Sequence, residues 1–169
     1  MNKNTKSLEF EHTAFSAALV RYLTSFNLID KNVGLCISFL VNSNDPRASY
    51  PLLERLNTQA KLDVLRELLF YKRMEKQSDM LDDFTSWFKR MSESKVQRNR
   101  FIHGQWYLIP NQNGKPVAFS PTTWTAGIGR EKTRLDKEQR LSISEFEAVA
   151  TELEQLLNEF SSLRKKHSL

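Results

Sequence analysis

MLDDFTSWFKRMSESKVQRNRFIH, residues Met80–His103, followed by Gly104, is the stretch whose reading decides the fold. Its apolar residues Leu81, Phe84, Trp87, Phe88 and Met91 recur at steps of three and four, and Ile102 returns to the same side. That spacing predicts a helix packed by one face. At about 100° per residue, Arg98 projects close to the centre of the stripe, near Phe84 and Met91. Asn99 and His103, four apart, sit together on its flank, and Gln97 and Arg100 face away. A buried guanidinium without a partner would cost on the order of several kcal/mol. Arg98 is therefore expected to meet a carboxylate, to line a cleft or to lie at a subunit interface. Gly104 suits the left-handed position just past a helix end, so the helix should stop at His103. The negative end of the helix dipole favours the protonated imidazole there. A histidine titrating near neutrality suits general acid–base work.

Arginine, asparagine and histidine together can bind a phosphodiester, orient it and move a proton without metal or cofactor. Each also has a plainer reading. His103 could serve as a helix-end cap, Asn99 as a brace for that end, and Arg98 as a member of a structural ion pair.

Outward from this helix the chain reads as further helices. Phe10, Phe15, Leu19, Tyr22, Leu23 and Phe26 predict one over about Ser7 to Phe26, with a break or a bend at Asn27 to Asp30. Val33 to Val41 is a second apolar segment, helical in character but short. Asn42 to Pro46 reads as a loop that Pro51 extends. Leu62, Leu65, Leu68, Leu69 and Met74 predict a helix from Leu52 or Thr58 to about Lys76. Asp79 is placed to cap the helix that starts at Met80.

After Gly104 the period changes. Trp106 to Ile109 is β-like, and Pro116 to Phe119 answers it across a segment containing Asn113-Gly114, predicting a small hairpin or an ordered loop. Pro121 to Arg134 is polar, and it either covers His103 or forms a surface excursion. Ser142-x-x-Glu145 and Ser144-x-x-Glu147 both match a capping box. Phe146, Val149, Leu153, Leu156, Phe160 and Leu163 then predict a last helix. The expected architecture is all-α: a bundle of four to five helices, with the hairpin or loop inserted after the Arg98 helix.

At 169 residues the chain is expected to form one domain, 1–169, large enough for a real core. Its single cysteine, Cys36, excludes an intramolecular disulfide framework. The polar start, Met1 to Lys6, is unlike a secretory leader. Together these point to a reducing cytoplasm. No apolar run reaches the length of a bilayer span, so no membrane partner is expected. His12, His103, His167 and Cys36 show no zinc spacing, and no metal or cofactor is expected. There is no phosphate-binding glycine loop and no Gly-x-Ser-x-Gly elbow, and Cys36 lacks a nearby histidine. Kinase, dehydrogenase and nucleophile-elbow hydrolase chemistry thus have no support.

The formal charge of +5 is a mild basic bias, compatible with nucleic acid. Lys89, Arg90, Lys95, Arg98 and Arg100 cluster on the later part of the Arg98 helix, where Glu93 is the one acid among residues 89–100. Arg164-Lys165-Lys166-His167 reads as a solvated helix end whose cations complement the dipole.

Arg98-Asn99-x-x-x-His103, on a helix in an all-helical chain of this size, resembles the signature of the HEPN family. The specific likeness covers about eight residues, and the likeness in helical outline extends over the whole chain. The resemblance implies a helical bundle that pairs as a homodimer, with both motifs facing one composite cleft. It implies metal-independent RNA cleavage, in which the ribose 2′-hydroxyl attacks the adjacent phosphate. His103 would then assist proton transfer, Arg98 would steady the phosphate charge and Asn99 would orient them or the substrate. Lys95 and Arg100 are the added candidates for contact with RNA. A bacterial defence or toxin setting, with an antitoxin or regulatory partner, is also what the family implies. One subgroup, paired with nucleotidyltransferase antitoxins, has a tyrosine two residues after the histidine, where this chain has Gln105. The resemblance does not extend to that subgroup. Two other readings compete: a non-catalytic HEPN-like module binding RNA or a nucleotide or acting as a regulatory partner, and a helical interaction protein in which Arg98 and His103 are structural.

Overall fold

The computed structural model describes residues 3–42, 44–76, 80–103, 107–110, 116–120 and 139–169. The fold is a helical bundle carrying a small antiparallel sheet. Its helices are α1 (Lys3–Val41), α2 (Tyr50–Leu53), α3 (Thr58–Lys76), α4 (Met80–His103) and α5 (Ile143–His167), and a 3-10 turn (Pro46–Ser49) precedes α2.

The first helix is longer than its sequence suggests. No break occurs at Asn27 to Asp30, and α1 runs 39 residues. Neither glycine nor proline interrupts those positions. The buried residues Tyr22, Phe26, Ile29, Val33, Cys36 and Ile37 keep the three-and-four step straight through them. After α1, the Asn42 side-chain oxygen accepts the backbone N–H groups of Asn44 and Asp45, both at 3.2 Å, and turns the chain. Leu52 belongs to the short α2, so the long helix starts at the later of the two expected positions, Thr58. Asn57 caps it, accepting the Ala60 N–H at 3.0 Å. The expected cap Asp79 lies outside the described residues.

The expected hairpin is present and a third strand joins it. Strands β1 (Tyr107–Pro110) and β2 (Pro116–Ser120) pair antiparallel with Tyr107 opposite Phe119 and Pro110 opposite Pro116. Strand β3 (Gln139–Ser142) pairs with the other edge of β2, placing Val117 opposite Ser142. This third strand has no clear sequence signal, because Gln-Arg-Leu-Ser lacks both β-branched residues and aromatics. The expected lid or excursion, Pro121 to Arg134, lies outside the described residues.

The last residue of β3 starts α5. Ser142 Oγ accepts the Glu145 N–H at 3.2 Å, and the Glu145 carboxylate accepts the Ser142 N–H at 2.7 Å. This is the reciprocal capping box, and Ser142 forms it where Ser144 does not. At its other end, Ser168 takes a left-handed conformation (φ 54°). The Leu169 N–H then returns to the Arg164 carbonyl at 2.9 Å and the Ser168 N–H to that of Lys165 at 3.3 Å, a Schellman closure.

The chain divides into two compact units. The first comprises Met1–Leu23 and Val96–Glu152. Its core stacks aromatic rings: Phe146 lies 4.7 Å from Phe15 and 4.6 Å from Phe101, and Tyr22 meets Phe101 edge-on at 4.9 Å. The second comprises Thr24–Lys95 and Leu153–Leu169. There Phe84, Trp87, Phe88 and Met91 of α4 are buried with Leu62, Leu65 and Leu69 of α3 and with Leu153, Leu156 and Phe160 of α5. Trp87 stacks on Phe160 at 4.6 Å and donates its indole N–H to the Leu156 carbonyl at 2.9 Å, so its one polar atom is satisfied in the core. Arg66 lies over the Phe88 ring at 4.8 Å.

Candidate functional site

Helix α4 is described through His103; Gly104, where the sequence places its end, lies outside the described residues. Arg98 comes four residues after buried Ser94 and three before buried Phe101, in the inward-facing row of the helix. The polar substitution in an apolar row is therefore real. Ile102 departs from expectation: it is 42% exposed, and Phe101 at 4% enters the core in its place. The reason is tertiary, since Tyr22 and Phe146 offer ring faces on the Phe101 side. Gln97, expected to face away, is half-buried.

Arg98 itself is half-buried, with its Nε shielded from solvent. Its Nη1 donates to the Oδ1 of exposed Asn99 at 3.2 Å. Arg98 and Asn99 are thus brought together directly.

Beneath this pair lies a residue that the sequence reading assigned only to the apolar stripe. Tyr22 is fully buried, and burial pushes its phenol well above the ordinary tyrosine value. The positive charge of Arg98 and a hydrogen bond from the Arg98 backbone oppose that rise, whereas the Glu152 carboxylate adds to it. Tyr22 consequently stays neutral throughout the physiological range and can act only as a neutral hydrogen-bonding group. Glu152 and Arg98 act on the same phenol with opposite sign. The position of Glu152 on α5, 54 positions along the chain from Arg98, left no signal in the local pattern.

His103 closes α4, but its imidazole lies outside the described side chains, as does the side chain of Arg100. Lys95 belongs to the second unit, where its ammonium donates to Gln59 Oε1 at 2.6 Å. Arg90 pairs with Glu159 at 2.7 Å. The basic tail is likewise less free than expected. Lys166 and His167 both reach Asp83 Oδ2, at 2.6 and 2.7 Å, and hold its carboxyl below the usual range, Lys166 contributing most. The ion pairs offset part of the positive charge of α4 and α5.

The chain matches no family model, no curated protein and no solved structure. Its residues therefore carry the functional argument alone. Among the described residues, no group of three or more His, Cys, Asp or Glu side chains is placed to hold a metal ion. No described helix is long and apolar enough to cross a membrane.

Proposed function

We propose that this protein is an endoribonuclease of HEPN type, acting without a metal ion through Arg98, Asn99 and His103. The observation that carries the reading is Arg98: a guanidinium in the inward-facing row of α4, braced by Asn99, one turn before the helix ends at His103. A planar cation held at the edge of a core is preorganised to bind a phosphodiester, because its donors need not be gathered when charge develops. In the reaction, the 2′-oxygen forms a bond to phosphorus as the P–O5′ bond breaks. His103 moves the proton between the attacking and leaving oxygens. The products are a 2′,3′-cyclic phosphate and a 5′-hydroxyl. Arg98 balances the charge on the phosphoryl oxygens, and Asn99 orients the guanidinium or the substrate. Lys95 and Arg100 are assigned auxiliary contact with RNA. A homodimer with both motifs on one cleft completes the proposal, and a monomer in solution at micromolar concentration would contradict that part. A cytoplasmic place and a defence or toxin role, with an antitoxin or regulatory partner, belong to the same family-level proposal.

The test is cleavage of RNA by purified protein in excess EDTA, comparing wild type with Arg98→Ala and His103→Ala, each shown folded by circular dichroism. Cleavage by wild type alone, leaving cyclic phosphate ends, supports the assignment. Equal cleavage by all three identifies a contaminant and removes its basis. A His103→Ala protein that keeps RNA binding but loses cleavage separates the proton-transfer role from binding.

A further inference from the structure

Within the unit formed by Met1–Leu23 and Val96–Glu152, polar groups gather where apolar packing is the rule. The inward row of α1 there runs Phe15, Ala18 and Tyr22, at steps of three and four, and all three are buried. Phenylalanine would fill the last of these places with the same ring. A hydroxyl taken out of water destabilises a core unless a partner meets it. The partner is the backbone of Arg98, which gives the Tyr22 oxygen a hydrogen bond. The Arg98 guanidinium and the Glu152 carboxylate also act on the phenol, which brings α4 and α5 to the same level. One residue before Tyr22, Arg21 Nη2 donates to Thr151 Oγ1 at 3.4 Å and ties α1 to α5 beside Glu152.

Tyr22 grips α4 at two places. Its hydroxyl meets the backbone of residue 98, and its ring meets the Phe101 ring edge-on, with centroids 4.9 Å apart. Residues 98 and 101 are neighbours on one face of the helix. A helix held at one point can still turn about its axis or slide along it. Held at two points a turn apart, it can do neither. Phe101 rests in turn on Phe146 of α5 at 4.6 Å. Arg98 Nε, at the root of the guanidinium, is buried. Where this turn is held therefore sets the direction in which Arg98 and Asn99, bonded to each other at 3.2 Å, present their side chains.

We propose that Tyr22 is a positioning residue of the Arg98 site: its hydroxyl fixes the turn of α4 that carries Arg98 and Asn99, so that both meet a phosphodiester without rearrangement. The effect on catalysis rests on the ribonuclease reading, and the effect on Arg98 rests on the packing alone. Fully buried, Tyr22 touches no RNA, and as a neutral phenol it moves no proton. Its part is preorganisation: the cation is aimed before charge develops on the phosphoryl oxygens.

Tyr22→Phe tests this, because it removes the hydroxyl and keeps the ring on Phe101. In the full chain labelled with nitrogen-15, hydrogen exchange at the Arg98 Nε–H should be slow in wild type, since that atom is buried. It should quicken about fivefold in Tyr22→Phe, the effect of one hydrogen bond lost at that turn. Cleavage of a mixed-sequence single-stranded RNA should lose about tenfold in kcat, with KM within about twofold of wild type. Phe15→Leu loosens the same unit against Phe146 without touching residue 98, and should leave both readouts within about twofold of wild type. Unchanged exchange in Tyr22→Phe would overturn the proposal. An equal change in Phe15→Leu would overturn it too, by making the effect one of general stability, and so would a loss confined to KM. If wild type cleaves no RNA, the ribonuclease reading falls by itself, and the exchange rates still decide whether Tyr22 positions Arg98.

Discussion

Replacing Arg98 with methionine should abolish RNA cleavage and leave the fold about as stable as before. Methionine retains most of the unbranched stem that fills the inward-facing row of α4, so little packing is lost. The hydrogen bond to Asn99 disappears, but it is long at 3.2 Å and its acceptor is exposed, so its contribution is about 0.5 kcal/mol. Against this stands the desolvation of a half-buried guanidinium, whose removal returns about 1 kcal/mol when an apolar chain takes the position. The backbone hydrogen bond from residue 98 to Tyr22 survives the substitution. Together these effects place the net change within about 1 kcal/mol of wild type, equivalent to a shift of no more than roughly 3 °C in Tm. Urea melts followed by circular dichroism measure it, with cleavage assayed on the same samples. A loss of more than about 2 kcal/mol with cleavage retained would show that Arg98 is a structural ion-pair member and refute the functional assignment.

Phe146→Ala should be among the most damaging substitutions in the first unit, costing about 3–5 kcal/mol in guanidinium melts, because its fully buried ring touches both Phe15 and Phe101. Ser142→Ala removes the capping box of α5 and should cost about 1 kcal/mol. Acid should weaken the fold through Glu145, whose carboxyl is held below its usual value by the Ser142 hydroxyl and then the Ser142 N–H. That stabilisation is fully present above the unfolded carboxylate value of about 4.3 and is lost as pH falls through the lower folded value. Urea midpoints measured across that window should fall on acidification, and the fall should be shallower in Ser142→Ala. Cys36 is buried and its thiol is pushed up to about 11 by burial, with Arg164 opposing. It should resist Ellman's reagent at pH 8 in the native protein and react promptly in denaturant; equal rates in the two conditions would contradict its burial.

Much of the helical frame was legible in the residues themselves. The helical run of α4 across Met80–His103 follows from a three-and-four apolar rhythm, a local property of the chain. The start of α5 was legible to within the choice of Ser142 over Ser144, because a capping box spans only four residues. The hairpin strands β1 and β2 were legible from their period and turn residues. Arg98 stood out for the same reason: a charge in an apolar row can be seen without knowing what faces it.

What packs against each row depends on segments far apart in the chain, and there local reading stopped. Nothing near residue 102 says that Phe101 is the one to enter the core; Tyr22 and Phe146 decide it from two other helices. Nothing near Lys95 shows that Gln59 accepts a hydrogen bond from its ammonium, nor near Lys166 and His167 that Asp83 pairs with both. Strand β3 exists because β2 has an open edge for it, not because its own residues favour extension. Periodicity, caps and turns are energies between residues a few positions apart, so the sequence alone determined most of the helical frame and the motif, though not the continuity of α1. Burial and charge pairing are energies between residues that only the folded chain makes neighbours. The placing of Tyr22 beneath Arg98, and of Asp30 against Lys61, was accordingly decided by the tertiary structure.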